Sequence, residues 1–275
     1  MTDSNPLGDY LRARRAAIHP EDVGVRVTGI RRTPGLRREE VATLAGISAD
    51  YYLRLEQGRD RNPSLQVLDA LARVLQLDGT AVAYLRGLAG DAPHRPRPVQ
   101  EAVPSGVLQL LSSIALPAFV ENRTFDVLAA NPIATALSPA IVPGANRLRS
   151  TLLDPAEQSL VPDVQQALAG MVAAFRASLG PEPPDDRTAR LIGELSAESD
   201  VFRRLWARHD VRPPAGGGVR MSHPLVGALD LRREKLGIGG TEGHLLVVYH
   251  AEPGSPSAER LALLGSLAAS TEIPR

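Results

Sequence analysis

The sequence predicts a two-domain protein in which a helical N-terminal domain precedes an α+β domain built on an antiparallel sheet. Its 275 residues, 43% of them apolar, are more than one ordinary hydrophobic core usually holds. Apolar residues recur at helical spacing up to residue 89, whereas strand-like runs appear only after residue 105. Between them, three prolines within residues 93–98 disfavour helix. We therefore predict domains at 1–89 and 105–275, joined by a proline-rich linker at 90–104.

Composition and charge exclude several classes of protein. Lysine and arginine together number 31, as do aspartate and glutamate, so bulk charge would not drive binding to nucleic acid or a membrane. Cysteine is absent, which excludes a disulfide framework and thiolate metal sites. No apolar run approaches the roughly 18 residues that a membrane span needs, and the N-terminus lacks a secretory signal pattern. We expect a cytoplasmic protein that does not enter a membrane.

The N-terminal domain is predicted to contain five helices. Apolar residues at spacings of three and four place them at 6–18, 36–45, 49–57, 64–75 and 79–89. Gly46 is the residue type favoured just past a helix end, and Ser48 is a good N-cap for the next helix. The second and third helices are therefore joined by a tight turn.

These two helices carry a helix-turn-helix pattern. Ala42 is small where two helices must cross closely, and Gly46 follows four residues later in the turn. Ile47 fills the turn, while Tyr52 and Leu55 seat the second helix on the first. In a helix-turn-helix, the second helix is the one that enters the major groove of DNA.

The pattern belongs to a longer run that resembles a known family. Glu56, Gly58, an Asn-Pro-Ser sequence at 62–64 and a leucine-rich helix follow the helix-turn-helix. Together they resemble the Xre-type, lambda-repressor-like DNA-binding domain, and residues 31–59 resemble its narrower MmyB-like branch. The resemblance implies a five-helix domain that binds double-stranded DNA at an operator, as a homodimer if the operator is a palindrome.

Helix geometry then selects candidate DNA contacts. The N-terminal turn and outer face of the recognition helix suit base edges, while the flanking cationic and amide side chains suit phosphates. For Asp50 a second role stays open, namely stabilising the helix N-terminus by its charge. Glu56 is expected to be structural, because a carboxylate repels phosphate. The base-reading candidates are Ser48, Ala49, Asp50, Tyr51 and Arg54, and the phosphate candidates are Arg37, Arg38, Arg59 and Asn62.

The C-terminal domain is predicted to contain about five strands, with helices inserted after the second. We expect an antiparallel sheet with helices packed on one face. The predicted strands are a hairpin at 117–131 and runs at 216–224, 225–236 and 244–251. The predicted helices are 105–113, 132–138, 155–179, 185–196, 198–209 and 257–269.

This order of elements resembles a PAS-like fold, and three segments resemble the ligand-binding domain of MmyB-like regulators. These are residues 127–131, 202–211 and 223–231. The resemblance implies a transcription regulator that senses a small, fatty-acid-like ligand, with no other cofactor. An apolar tunnel with a polar group at its mouth would suit such a ligand. The candidate lining residues are Phe119, Phe125, Leu128, Met171, Phe175, Phe202 and Trp206. The candidate carboxylate clamps are Arg147, Arg176 and Arg204, and the choice among them stays open.

Two other interpretations stay open. Phenylalanines at these spacings are more often plain core than ligand lining, and the C-terminal domain could be a dimerisation or partner module without a ligand. An enzyme is not expected, because the sequence has neither a Gly-x-Ser-x-Gly elbow nor a phosphate-binding loop with its lysine. None of the six histidines forms a His-x-x-x-His pair, so a metal site is not expected either.

Overall fold

The computed structural model describes most of both domains. It covers residues 5–25, 31, 33, 35–60, 62–90, 102–181, 183–213 and 215–271, so most of the predicted linker lies outside the described residues. The N-terminal domain contains α1 (Pro6–Ala17), a 3₁₀ turn (Pro20–Val23), α2 (Arg38–Ala45), α3 (Ala49–Glu56), α4 (Leu65–Val74) and α5 (Gly79–Ala89).

Local sequence determines where these helices begin and end. Side-chain oxygens of Ser48, Ser64 and Asp78 accept hydrogen bonds from backbone N–H groups in the first turns of α3, α4 and α5. Gly46 ends α2 at φ 70°, a left-handed conformation that costs glycine little. The apolar faces of the five helices meet in one core that includes Tyr10, Tyr52 and other buried side chains.

The C-terminal domain is an α+β unit around a five-stranded antiparallel sheet of order β2-β1-β5-β4-β3. This confirms the predicted two-domain architecture. Its strands are β1 (Ala118–Glu121), β2 (Val127–Ala130), β3 (Gly217–His223), β4 (Gly227–Gly237) and β5 (Leu245–His250). Its helices are α6 (Ser105–Ser113), α7 (Pro132–Leu137), α8 (Arg147–Leu153), α9 (Pro155–Ser159), α10 (Val164–Leu179), α11 (Asp186–Glu198), α12 (Asp200–Ala207) and α13 (Pro256–Thr271).

Both faces of the sheet are covered, which corrects the expectation of helices on one face only. On one face, the apolar side chains of the strands pack with α7 and with Leu261 and Leu264 of α13. On the other, Val120 and Leu246 pack against Leu111 of α6. The alternation of side chains along β1 and β5 supplies apolar residues to both faces, so a second helix layer is needed to bury them.

The long helix predicted over 155–179 is in fact two helices. The interruption lies at 160–163, where Pro162 has no backbone N–H to donate to a helical hydrogen bond. The Asp163 side chain then accepts a hydrogen bond from the Gln166 N–H and caps the N-terminus of α10. The helix α8, which starts at an Asn146 cap, was not predicted.

Helices α10, α11 and α12 build a separate apolar cluster beside the sheet. Phe175 lies 6.1 Å from Phe125 and 5.7 Å from Trp206, measured between ring centroids, and Trp206 stacks on Phe202 at 5.5 Å. Phe175 and Phe202 are fully buried. This aromatic cluster holds α10 and α12 together.

Candidate DNA-binding surface and ligand cavity

The third helix presents one face to the domain core and the other to solvent. Its N-terminus is fixed by Ser48, whose hydroxyl accepts from the Tyr51 N–H at 3.1 Å. Tyr52 and Leu55 point into the core with no exposed surface, whereas Ala49 and Asp50 are exposed. The exposed face of α3 is therefore the one that could enter a groove.

Three candidate base-reading side chains contact one another on that face. The Arg54 guanidinium forms an ion pair with Asp50 one turn earlier. It also lies 5.6 Å from the centroid of the Tyr51 ring. Because the side chains of Asp50 and Arg54 remain largely exposed, the pair can separate at little cost when another partner arrives. Arg54 therefore lies on the outer surface of α3, paired with Asp50 and free to exchange that partner for another.

The C-terminal end of α3 is anchored by a buried carboxylate. Glu56 is fully buried, and its two oxygens accept from Arg15 Nε of α1 at 2.7 Å and from Arg38 Nε of α2 at 2.5 Å. A buried carboxylate needs such paired donors to remain charged. Glu56 therefore joins three helices, and Arg38 is engaged in this structural network.

The remaining phosphate candidates lie at the surface beside α3. Arg37, Arg59 and Asn62 are exposed, and neither arginine forms an ion pair with any residue that the structure describes. Arg37 precedes α2, and the other two follow α3, so these side chains flank the recognition helix in the chain. They remain available to an external anion.

A large cavity of about 1140 Å³ opens between the sheet and the helices of the C-terminal domain. Its apolar wall includes Phe125, Leu137, Ile141, Met171 and Met221. Phe125 and Met171 are the sequence-predicted lining residues that the structure places there. The volume exceeds the roughly 300–1,000 Å³ typical of small-molecule sites.

A buried charge cluster forms part of the same cavity. Glu121, almost fully buried on β1, accepts from Arg147 Nη1 at 2.6 Å and from Lys235 Nζ at 2.7 Å. Burial alone would raise the pKa of Glu121, but the positive charges of Arg147 and Lys235 hold that pKa below its usual value. Both cations line the cavity, so one carboxylate is shared by two cations there.

Lys235 was missed by sequence reasoning, although a signal for it was present. It is the only lysine among 31 basic residues. Leu231, Arg233 and Lys235 alternate along β4 and so share one face of the sheet, and all three line the cavity. The period of two along this strand predicts that Lys235 faces the same side as Leu231, so the sequence already indicated an inward-facing cation.

Several predicted ligand residues lie outside the lining of this cavity. Leu128 alternates to the opposite face of the sheet, among the residues packed with α6. Phe119 does not line the cavity; its ring lies under the guanidinium of Arg147, with 4.8 Å between the ring centroid and Arg147 Cζ. The aromatic cluster beside the sheet contains the other three predicted residues, Phe175, Phe202 and Trp206. None of these three lines the cavity.

The predicted clamps Arg176 and Arg204 also lie away from the cavity. Arg176 donates to the Trp206 carbonyl at 2.6 Å and lies 3.7 Å from the Trp206 ring centroid. Arg204 is exposed on α12. Among the three predicted clamps, Arg147 alone reaches the cavity.

The two domains contact each other through the segment that follows α12. The Arg14 guanidinium pairs with Asp210 at 2.6 Å, and the Tyr10 ring meets His209 edge-on at 6.3 Å between centroids. Val211 is buried in the N-terminal core. Burial, with the nearby positive charge of Arg176, lowers the pKa of His209 to about 4, so the ring is neutral at this contact.

Two family models match the chain over both domains. Residues 6–85 match a helix-turn-helix domain. Residues 103–264 match the MmyB-like transcription regulator ligand binding domain, which covers more than half of the chain. The chain belongs to the MmyB-like transcription regulators. Neither of the two matched families is a family of enzymes, and the combination of domains is that of a transcription regulator with a ligand-binding domain.

Other comparisons add little to the MmyB-like assignment. No curated protein matches the chain. One solved structure, described as "Structure of an RNA-binding Light-Oxygen-Voltage Receptor", is similar at 15% identity with a TM-score of 0.23. The alignment covers 84% of this chain and 62% of that one. A similarity of this size carries no argument about fold or function.

Two features are absent from the described residues. No helix among them is both long and apolar enough to cross a membrane. Within the same part of the chain, no group of histidine, aspartate and glutamate side chains is arranged to hold a metal ion.

Proposed function

We propose that this MmyB-like regulator is a homodimer that binds a palindromic operator through α3 and changes its DNA affinity when an acyl ligand fills the cavity. The observation that carries this proposal is the position of α10. Its residues Gly170, Met171 and Ala174 line the cavity, whereas Ala177 packs against the N-terminal core. One helix therefore touches both the ligand site and the DNA-binding domain.

The DNA side of the proposal follows from the exposed face of α3. Arg54 can donate two hydrogen bonds to guanine, and Ala49 can contact a thymine methyl group. Arg37, Arg59 and Asn62 would hold the phosphates on either side and fix the register. A single recognition helix reads only a half-site, which is why we propose two copies on a palindrome.

The ligand side of the proposal follows from the mixed apolar and cationic lining of the cavity. An acyl chain would lie along the apolar wall, and its anionic head would approach Arg147 and Lys235. These two cations share a single carboxylate, Glu121, so the three side chains together carry one net positive charge that could attract the anionic head of the ligand. A buried positive charge attracts an anion more strongly than an exposed one does, because water screens it less.

A continuous set of contacts would transmit the occupancy of the cavity. Arg212 and Pro213 line the cavity, and the Arg212 N–H bonds to the Ala173 carbonyl of α10 at 3.3 Å. The two preceding residues, Asp210 and Val211, hold the N-terminal domain. A ligand that shifts α10 or residue 212 would therefore move the DNA-binding domain, provided that it binds the two arrangements with different affinities.

The experiment measures operator affinity with and without ligand. Protein as purified is extracted and its lipids analysed by mass spectrometry, and an operator is selected from random DNA. Fluorescence anisotropy then compares delipidated and acyl-loaded protein on that operator. We expect at least a fivefold difference, the lower end of typical allosteric coupling, which is about 1–3 kcal/mol.

A matched pair of glycine variants tests the route of coupling. A Cβ atom at Gly87 on α5 would lie 2.6 Å from Pro181 Cγ, whereas one at Gly79 on the same helix would meet nothing within 4 Å. Gly87→Leu should therefore separate the domains and reduce the ligand effect, and Gly79→Leu should not. If no acyl compound is retained or bound, the C-terminal domain is a dimerisation or partner module instead.

A further inference from the structure

The cavity has more positive charge than a fatty-acid carboxylate can use. Seven arginine and lysine side chains line it, against four aspartate and glutamate side chains. Two of those four carboxylates are already engaged within the protein. Glu157 accepts from the Ser138 hydroxyl and the Ala140 N–H, and Asp163 caps α10.

The basic side chains differ in how far they are paired. Arg147 and Lys235 share Glu121, as described above. Arg212 and Arg233 also line the cavity, but neither forms an ion pair with any residue that the structure describes. Arg233 Nε is buried and has no hydrogen-bond partner among the described residues. Buried polar atoms in folded proteins are nearly always hydrogen-bonded, so this nitrogen lacks an acceptor that an anion could supply.

The size of the cavity leads to the same conclusion. At about 1140 Å³ it exceeds the usual range for small ligands, and both apolar and polar side chains line it. A single acyl chain would satisfy only the apolar wall and one cation. A phosphate group brings about two negative charges and three strong acceptor oxygens, and its geometry matches the guanidinium fork.

We propose that the ligand of this cavity is an acyl chain joined to a phosphate-bearing head group, with the phosphate held by Arg212 and Arg233. This inference rests on the proposed function, because it takes an acyl chain in the cavity as given. It adds the chemical class of the head group and two residues that select it. Replacing Arg212 and Arg233 should remove this selection without unfolding the domain, because neither forms an ion pair with a residue that the structure describes.

The test compares ligands that differ only in their head groups. Delipidated full-length protein is titrated by calorimetry in 0.1 M NaCl with palmitate, 1-palmitoyl lysophosphatidate and palmitoyl-CoA, each below its micelle concentration, and with coenzyme A as the control without an acyl chain. We expect the two phosphate-bearing compounds to bind at least about tenfold more tightly than palmitate, the effect of one good charge-assisted interaction. The advantage should shrink in 0.5 M NaCl, because salt screens charges near the surface.

The variant and its control make the assignment specific. Arg212→Gln/Arg233→Gln should weaken binding of the two phosphate-bearing compounds about tenfold more than it weakens binding of palmitate, which removes their advantage. Arg204→Gln, on the exposed surface of α12, should change none of these affinities. If palmitate binds as tightly as its phosphate-bearing relatives, the head-group proposal is wrong and the proposed function stands. If coenzyme A alone matches palmitoyl-CoA, the site is not one for an amphiphile, and this proposal fails. If no acyl compound binds, both proposals fail.

Discussion

The buried carboxylate of Glu56 offers the sharpest test of how α3 is held. Glu56→Gln keeps the shape of the side chain and removes its charge, leaving the largely buried Arg15 guanidinium without its anionic partner. Breaking a buried ion pair from one side usually costs about 3–5 kcal/mol. The Arg38 side chain is 45% exposed and can be rehydrated, and glutamine keeps one acceptor oxygen. We therefore expect the lower end, about 3 kcal/mol of unfolding free energy.

Hydrogen exchange by mass spectrometry measures this cost where it arises. Because the two domains can unfold separately, a single denaturation midpoint would mix their contributions. A loss of about 3 kcal/mol corresponds to about 100-fold faster exchange of the α3 amides, if they exchange through unfolding of the domain. Glu39→Gln, exposed on α2, is the matched control and should change exchange by less than threefold. A Glu56→Gln effect no larger than that of the control would refute the reasoning.

Two further predictions concern DNA reading and the domain contact. Arg54→Ala should weaken operator binding by about tenfold or more, as expected for a lost bidentate base contact, and should weaken binding to random DNA far less; equal losses in anisotropy titrations would exclude base reading. The folded-state pKa of His209, about 4, lies below its ordinary value of 6.5, so its contribution to the domain contact is complete above pH 6.5 and is lost as the pH falls toward 4. Trp206 fluorescence or small-angle scattering should report this loosening of the domain contact. His209→Asn should remove that part of the pH dependence, and asparagine suits the observed φ of 52° at this position. If the pH profile of the variant equals that of the original protein, the pH dependence does not come from His209 but from other groups such as Asp210.

The helix-turn-helix could be predicted from sequence because its signals are local. The Ser48 cap and the left-handed Gly46 act within a few residues, and the inward residues of α3 follow from the helical period. The break at 160–163 was not predicted. Apolar residues continue on both sides of Pro162, and the prediction gave this pattern more weight than the proline. The cavity residues could be predicted only in part, since an apolar side chain suits a core as well as a ligand site. Phe125 and Phe202 have the same side chain, and one lines the cavity whereas the other does not.

By itself, the sequence determined the two-domain architecture, the position of the recognition helix and the strand and helix types, because these depend on periodicity, caps and turns along the chain. Tertiary structure alone decided which charges meet. Glu121 and Lys235 are 114 residues apart in sequence yet 2.7 Å apart in space, and Arg14 finds Asp210 across the domain boundary. Such pairs depend on sheet register and on the docking of whole domains. Since 30 arginines compete for 31 acidic partners, no local rule could have chosen among them.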